Sequence, residues 1–351
     1  MKIGIVTLYG NTNYGNRLQN YAVQEILKQR GYEVETIVCK KNTPKDSLRK
    51  VYHAVKSMLG DKQSKRMARF NQFNKEMVPT RIIRNKSGLI PGEIAPEYDF
   101  FVSGSDQVWN PDIRLKEKDN FFLRFAEREQ RICLAPSIAT EEVPQTCMEE
   151  YQIGLNGFPY LSCRENNGAE LISRITGRSC ENIIDPTLAI DAQVWRAFSK
   201  PIPQERPYIL MFFLGRVSDK IRQLAQAEAQ KRKLDIVEIT SVKDKYFVSD
   251  PQNLVWLIDH AEMVLTDSFH GAAFSINMNT PFYVFNRSSA KSKEVRITSR
   301  IVTLTEKFCV SQRYVEEEMK ELDFTCSFEC GNEVLEVERK HFHNYLDRCL
   351  L

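Results

Sequence analysis

"VLTDSFHGAAFSI", residues 264–276, changes its grammar halfway. Val264 and Leu265 close an apolar run of the kind a buried strand makes, and Ala272, Ala273, Phe274 and Ile276 open one with helical spacing. Between them sit Thr266, Asp267, Ser268, Phe269 and His270, one of only five histidines in the chain. A strand that turns at once into a helix is half of a β-α-β unit, and ligands in parallel sheets bind outside the carboxyl ends of the strands. The first turn of such a helix offers unpaired N–H groups and a partial positive charge, which suit an anion. Ser268 or Asp267 can cap it, Gly271 lets a ligand or backbone approach closely, and His270 can hydrogen-bond a phosphate or move a proton. Taken alone, the stretch fits better a capped helix with a half-buried histidine satisfied by backbone, because caps are far commoner than active sites.

The same alternation extends outward. "YILMFFLG" (208–215), "DIVEIT" (235–240) and "PFYVFN" (281–286) read as strands, and residues 218–231 and 251–260 as helices. Near the start, "IGIVTL" (3–8) is a strand, Leu18, Tyr21, Ala22, Ile26 and Leu27 form a helix stripe that stops at Gly31, and "YEVETIVC" (32–39) is the next strand. "YDFFVSGSD" (98–106), "RICLAPSIA" (131–139) and "FPYLSCRE" (158–165) continue the series. Residues 191–207, with Pro201, Pro203 and Pro207, make a linker. The expectation is an α/β protein of two doubly wound, Rossmann-like halves facing a cleft, residues 1–195 and 196–351, the second ending in a helical segment.

With 42% hydrophobic and 27% charged residues, the chain has the composition of a soluble globular protein, and no apolar run is long enough to span a membrane. The N-terminus reads as a first strand rather than a signal peptide. Nine scattered cysteines point to reduced thiols and a cytoplasmic location. Cys326, Cys330, His341 and His343 lack the spacing of a zinc finger or ribbon, and no metal site is expected. Net charge is only +3, but residues 41–86 carry thirteen Lys or Arg against three acids, an excess of ten. Within them Leu48, Val51, Tyr52, Val55, Met58 and Leu59 recur at helical spacing. Such a basic amphipathic helix suits either an anionic membrane surface or an ordinary solvated face. The aromatics are not interleaved in a nucleic-acid-binding pattern.

Three further stretches carry chemistry. "GSDQVWNP" (104–111) ends a buried strand with Asp106, a possible general base for a hydroxyl, and Trp109, which suits stacking on a sugar ring. The same residues also fit an Asx-turn and a core edge. "NYGNRLQN" (13–20) brings Asn13, Asn16 and Arg17 to a helix start, without a dinucleotide fingerprint or a P-loop. Arg164 in "SCRE" (162–165) and Arg300 in "EVRITSRI" (294–301) suit bidentate pairing with carboxylate or phosphate.

In order, "NYGNRLQNYAVQ", "YDFFVSGSDQVWNP", "SCRE", "IIDPTLAI", "FFLG", "LTDSFHGAAFSI", "PFYVF" and "SRI" resemble the polysaccharide pyruvyl transferase family over most of the chain. The resemblance implies a fold similar to GT-B glycosyltransferases and transfer of pyruvate from phosphoenolpyruvate to two sugar hydroxyls as a ketal. It also implies acceptors that are cell-surface glycan units, often lipid-linked and met at the inner face of the membrane, and no cofactor. His270 is then expected to move a proton beside the donor and Asp106 to serve the acceptor hydroxyl. Ser268, Gly271, Arg164 and Arg300 are expected on the donor, and Asn13, Asn16, Arg17 and Trp109 on the acceptor. Many members carry an arginine where this chain has Ser268. A nucleotide-sugar-dependent glycosyltransferase and a non-catalytic glycan-binding relative are the alternatives.

Overall fold

The computed structural model describes all residues except Asn11, 43–55, 57–59, 113–117, 288–294 and 317–318, and the side chains of 295–298. The apolar stripe expected from Leu48 to Leu59 therefore lies outside the described residues.

Two five-stranded, all-parallel sheets organise the chain. The first contains β1 (Lys2–Val6), β2 (Glu33–Lys41), β3 (Thr80–Asn85), β4 (Phe100–Asp106) and β5 (Arg131–Pro136), in the order β3-β2-β1-β4-β5. The second contains β8 (Tyr208–Phe212), β9 (Asp235–Val237), β10 (Met263–Thr266), β11 (Phe282–Phe285) and β12 (Tyr314–Val315), in the order β12-β11-β10-β8-β9. A short parallel pair, β6 (Ser162–Cys163) and β7 (Glu181–Asn182), lies between them in sequence. Parallel strands are covered on both faces, which is why β8, β10 and β11 are buried at every position and read as unbroken apolar runs. This is the two-unit, GT-B-like α/β architecture the sequence predicts.

The covering helices are α1 (Tyr14–Gln29), α2 (Lys62–Met77), α3 (Met148–Asn156), α4 (Asn166–Thr176), α5 (Pro186–Ala189), α6 (Ala192–Phe198), α7 (Asp219–Arg232), α8 (Pro251–Asp259), α9 (Phe269–Met278), α10 (Val295–Lys307) and α11 (Glu329–Cys349). α6 occupies the linker, and its Trp195 packs against Tyr21 of α1 and Phe274 of α9. One apolar core thus runs from Ile3 and Ile5 to Val264 and Phe274, across both halves.

Strand order reverses between β1 and β4 in the first sheet and between β8 and β10 in the second. Such switch points open crevices at the carboxyl ends of strands. Asp106 ends β4, the chain from β1 leads into Asn13–Arg17, and Asp267–His270 follows β10. The motifs singled out from the sequence therefore sit at both switch points.

Two expectations are corrected here. Arg66, counted among the surface basic charges, is 5% exposed. Its guanidinium donates to the carbonyls of Ile239 (3.1 Å) and Phe247 (2.7 Å) in the second half and lies over the rings of Tyr14 and Phe247. It is a buried strut between the halves, because the apolar face of α2 turns it inward beside Phe70 and Phe73. Cys309 and Cys330 form a disulfide, where scattered thiols suggested reduced cysteines, because the start of α11 packs on the end of α10. The rest of α11 returns to the first half: Tyr345 donates to the Cys133 carbonyl at 2.8 Å, Arg348 pairs with Glu181 and Arg30 with Asp347. His341 meets Glu181 and His343 meets Arg30, and among the described residues no group of three His, Cys, Asp or Glu is placed to hold a metal. No helix among them is long and apolar enough to cross a membrane.

Candidate active site

α9 begins where the sequence places it. Ser268 is its N-cap, with extended backbone, and its hydroxyl accepts from the Gly271 N–H at 3.4 Å. The Thr266 hydroxyl accepts from the Ser268 N–H at 3.0 Å and donates to the Phe212 carbonyl, tying the turn to β8. A Cβ on Gly271 would come within 2.4 Å of that Thr266 hydroxyl, so the glycine is required by strand-to-helix packing.

His270, 7% exposed, points across to the first half. Gly15 lies directly against its ring: a Cβ there would be 2.1 Å from His270 Nδ1. The imidazole Nε2 is 3.8 Å from Asp185 Oδ2 and has no hydrogen-bond partner among the described residues. Burial holds the imidazole pKa below its ordinary value, against the pull of Asp185 and with the push of Arg164. The ring is therefore neutral near pH 7 in the absence of ligand.

Asp185 caps α5, accepting from the Thr187 N–H and hydroxyl, and also accepts from Ser105 Oγ and Arg164 Nη1, both at 2.6 Å. Burial opposes its ionisation, but Arg164, His270 and these donors prevail and hold its pKa at about 2. Arg164 is buried and stacks on the Phe269 ring at 4.4 Å. Its charge survives burial because Asp185, Asp106 and Glu165 surround it. Asp106 has φ 77°, a left-handed conformation that a short polar residue tolerates and that aims it into the cleft. Its carboxylate accepts from Asn16 Nδ2 at 3.1 Å and the Gln107 N–H at 2.9 Å, with Arg164 Nη2 at 3.8 Å. Arg300, 4% exposed, donates from both terminal nitrogens to Gln107, at 2.9 and 3.0 Å, when the amide oxygen faces it. Burial and the nearby Arg164 lower its pKa to about 10.

His270, Asp106, Arg164 and Arg300 thus form one cluster, with Ser268 and Gly271 shaping the helix start beside it. Asn16 joins it through Asp106, and Asn13 stands behind as the α1 N-cap, accepting from the Asn16 N–H. Arg17 donates to the carbonyl of Gly10 and to Asn16 Oδ1, bracing the loop. Trp109 is elsewhere. It is 1% exposed, packed with Phe122 and Phe158, its indole N–H donating to the Phe121 carbonyl, so no ring face is offered to a sugar. The turn after β4 directs it into the first half's core. Sequence reading gave no role to Asp185, Gln107 or Gly15. Asp185 had a visible signal: an Asp before Pro is a helix cap, and it stands in the "IIDPTLAI" stretch.

The contact between Gly15 and His270 gives a direct prediction. Gly15→Ala forces a methyl into the imidazole, and overpacking of this kind costs ~1–3 kcal/mol. Denaturant unfolding should show that loss, together with reduced turnover. Unchanged stability and rate would mean that the ring has room to retreat.

A family model for polysaccharide pyruvyl transferase matches residues 13–289. No curated protein matches the sequence. Among solved structures, UDP-GlcNAc 2-epimerase from Neisseria meningitidis is similar at 8% identity and a TM-score of 0.46, covering 99% of this chain and 100% of that one. The Anabaena protein HepE in complex with UDP and glucose is similar at 11% identity and a TM-score of 0.46, with the same coverage. A glycosyltransferase from Rickettsia africae is similar at 11% identity and a TM-score of 0.44, covering 99% and 96%. Likenesses this distant carry no inference about chemistry. The family match spans both switch points, from the Asn13 cap to the strand after α9, and on it the chain belongs to the polysaccharide pyruvyl transferase family.

Proposed function

We propose that the protein transfers pyruvate from phosphoenolpyruvate to two hydroxyls of a sugar in a cell-surface glycan precursor, releasing phosphate and leaving a cyclic ketal. The observation that carries this reading is a convergence of buried nitrogens that make no hydrogen bond among the described residues, Arg164 Nε and Nη2, Arg300 Nε and His270 Nε2, the carboxylates of Glu165, Asp106 and Asp185 standing off at 3.8–3.9 Å. Orphaned buried donors on two guanidiniums are costly unless an anion completes them. Phosphoenolpyruvate brings a carboxylate and a phosphate, each matched to a guanidinium fork.

The chemistry needs a proton delivered to the methylene carbon, and His270 is suited to this. Its imidazole is neutral in the free protein, and an arriving polyanion raises its pKa and favours loading a proton. Protonation gives an oxocarbenium-like C2. One sugar hydroxyl attacks there and gives up its proton, for which Asp106 is the acceptor. The C2–O bond to phosphate then breaks, and the second hydroxyl closes the ring, its proton returning to the His270 imidazole that the first step left neutral. The alternative use of a nucleotide sugar meets an obstacle. The Leu214 and Gly215 N–H groups at the end of β8, which a pyrophosphate would seek, already donate to Asp267 at 2.7 Å each.

Calorimetric titration of the protein with phosphoenolpyruvate, and phosphate release on adding acceptor glycan, test the reading. Titration without heat, or turnover of a nucleotide sugar instead, overturns it. Asp106→Asn should reduce turnover by ~10²-fold or more while phosphoenolpyruvate affinity stays within a few-fold. Collapse of donor binding with an intact acceptor step would place Asp106 on the other substrate.

A further inference from the structure

Next to the cationic cluster the cleft changes sign. A cavity of about 530 Å³ is lined by Glu141, Asn167 and Glu170 on one side and by Ser299, Thr303 and Glu306 on the other. Its lining holds three carboxylates and no Lys or Arg. Its size falls within the ~300–1,000 Å³ of ligand clefts. Chain connectivity fixes it to the site: α4 starts immediately after Arg164 and Glu165, and Ser299 precedes Arg300 on α10. Ser299, Thr303 and Glu306 recur at helical spacing, so they share one face of α10.

One observation beyond the acidic charge points to a ligand. Thr303 is 7% exposed, lines the cavity, and its hydroxyl has no hydrogen-bond partner among the described residues. Glu165, one residue before α4, faces Arg164 Nε with Oε2 at 3.9 Å, and its Oε1 accepts from Ser137 Oγ and the N–H groups of Ile138 and Ala139 and so pins the loop leading to Glu141. The first turn of α4 has no side-chain cap, leaving N–H donors at the cavity wall.

We infer that this cavity is the acceptor subsite and that it takes an uncharged or amino sugar, rejecting uronic acids and phosphorylated sugars; the inference rests on the transfer proposed above. Each sugar hydroxyl both donates and accepts, and the walls present carboxylates as acceptors and amides, a hydroxyl and helix N–H groups as donors. Hydroxyl-to-carboxylate hydrogen bonds are charge-assisted and strong. An anionic sugar would meet three carboxylates of like charge, whereas the anionic donor has the cationic cluster beside them.

The test uses the full chain and two probes. Binding is compared across methyl glycosides of neutral hexoses, 2-amino hexoses and uronic acids, for wild type and for Glu170→Lys combined with Glu306→Lys. Phosphoenolpyruvate is titrated into both. Both glutamates are exposed, so the variant is expected to fold, and its melting curve verifies this. Neutral and amino glycosides should bind at least tenfold tighter than uronic acids, the variant should lose or reverse that preference, and its donor affinity should stay within threefold. Equal or better binding of uronic acids, an unchanged profile in the variant, or no glycoside binding at all overturns the inference. If wild type ignores phosphoenolpyruvate while the sugar preference still follows the two glutamates, the subsite stands and the donor assignment falls.

Discussion

His270→Ala is expected to lower pyruvyl transfer by ~10²- to 10⁴-fold, the range for losing a general acid or base, with the fold intact. The fold should survive because the imidazole is not what satisfies Asp185. That carboxylate keeps Arg164, Ser105 and Thr187 when the ring is gone. What is lost is a neutral, buried ring held between Gly15 and Asp185, with one nitrogen open toward the proposed donor. The pH dependence of stability separates this from a packing defect. Burial lowers the folded-state pKa of His270 below its unfolded value of ~6.5, so the native protein binds fewer protons in that window. Stability is therefore full above that value and falls as pH drops through the lowered one. The variant should show a shallower acid-side decline together with its lost rate. A folded His270→Ala protein with near-normal turnover would return the residue to the service of the helix cap alone.

The parts of this site that were legible in sequence are those where one residue's own neighbourhood decides its place. Strand-to-turn-to-helix junctions leave a local signature, so Asp106, Ser268 and His270 could be set at strand ends, and parallel strands betray themselves as unbroken apolar runs. What joins the pieces is not local. Asp185 meets Arg164 from 21 residues away and Ser105 from 80. Gly15 has no side chain to advertise that a histidine 255 residues later will rest on it. Trp109 illustrates the converse failure: a tryptophan after a strand-end carboxylate suits a sugar platform and a core plug equally, and only the backbone turn at Asp106 decides. Arg66 fails for a similar reason, since charge alone does not tell a solvated cation from one stacked between Tyr14 and Phe247.

Arg164→Met is expected to cost the protein ~3–5 kcal/mol at neutral pH, the price of leaving a buried carboxylate without its partner. Asp185 is fully buried and depends on Arg164 as its main favourable neighbour. In wild type its pKa is depressed to about 2, against ~3.9 for an unfolded Asp. The pair's contribution is thus fully present above the unfolded value and lost as pH falls toward 2. In the variant the sign reverses. Burial then acts on Asp185 with little opposition and raises its pKa, so the folded state gains protons and recovers as pH falls. The gap between the two proteins should be widest near neutral pH and narrow below about pH 4, which denaturant unfolding across that range measures. Adding Asp185→Asn removes the stranded charge and should restore much of the stability, because replacing both partners of a buried pair is far milder than removing one. It should not restore transfer, since the open nitrogens of Arg164 are the proposed hold on the donor anion. A double variant that is stable and active would confine Arg164 to structure; an Arg164→Met protein as stable as wild type would mean that Asp185 is not held by this pair.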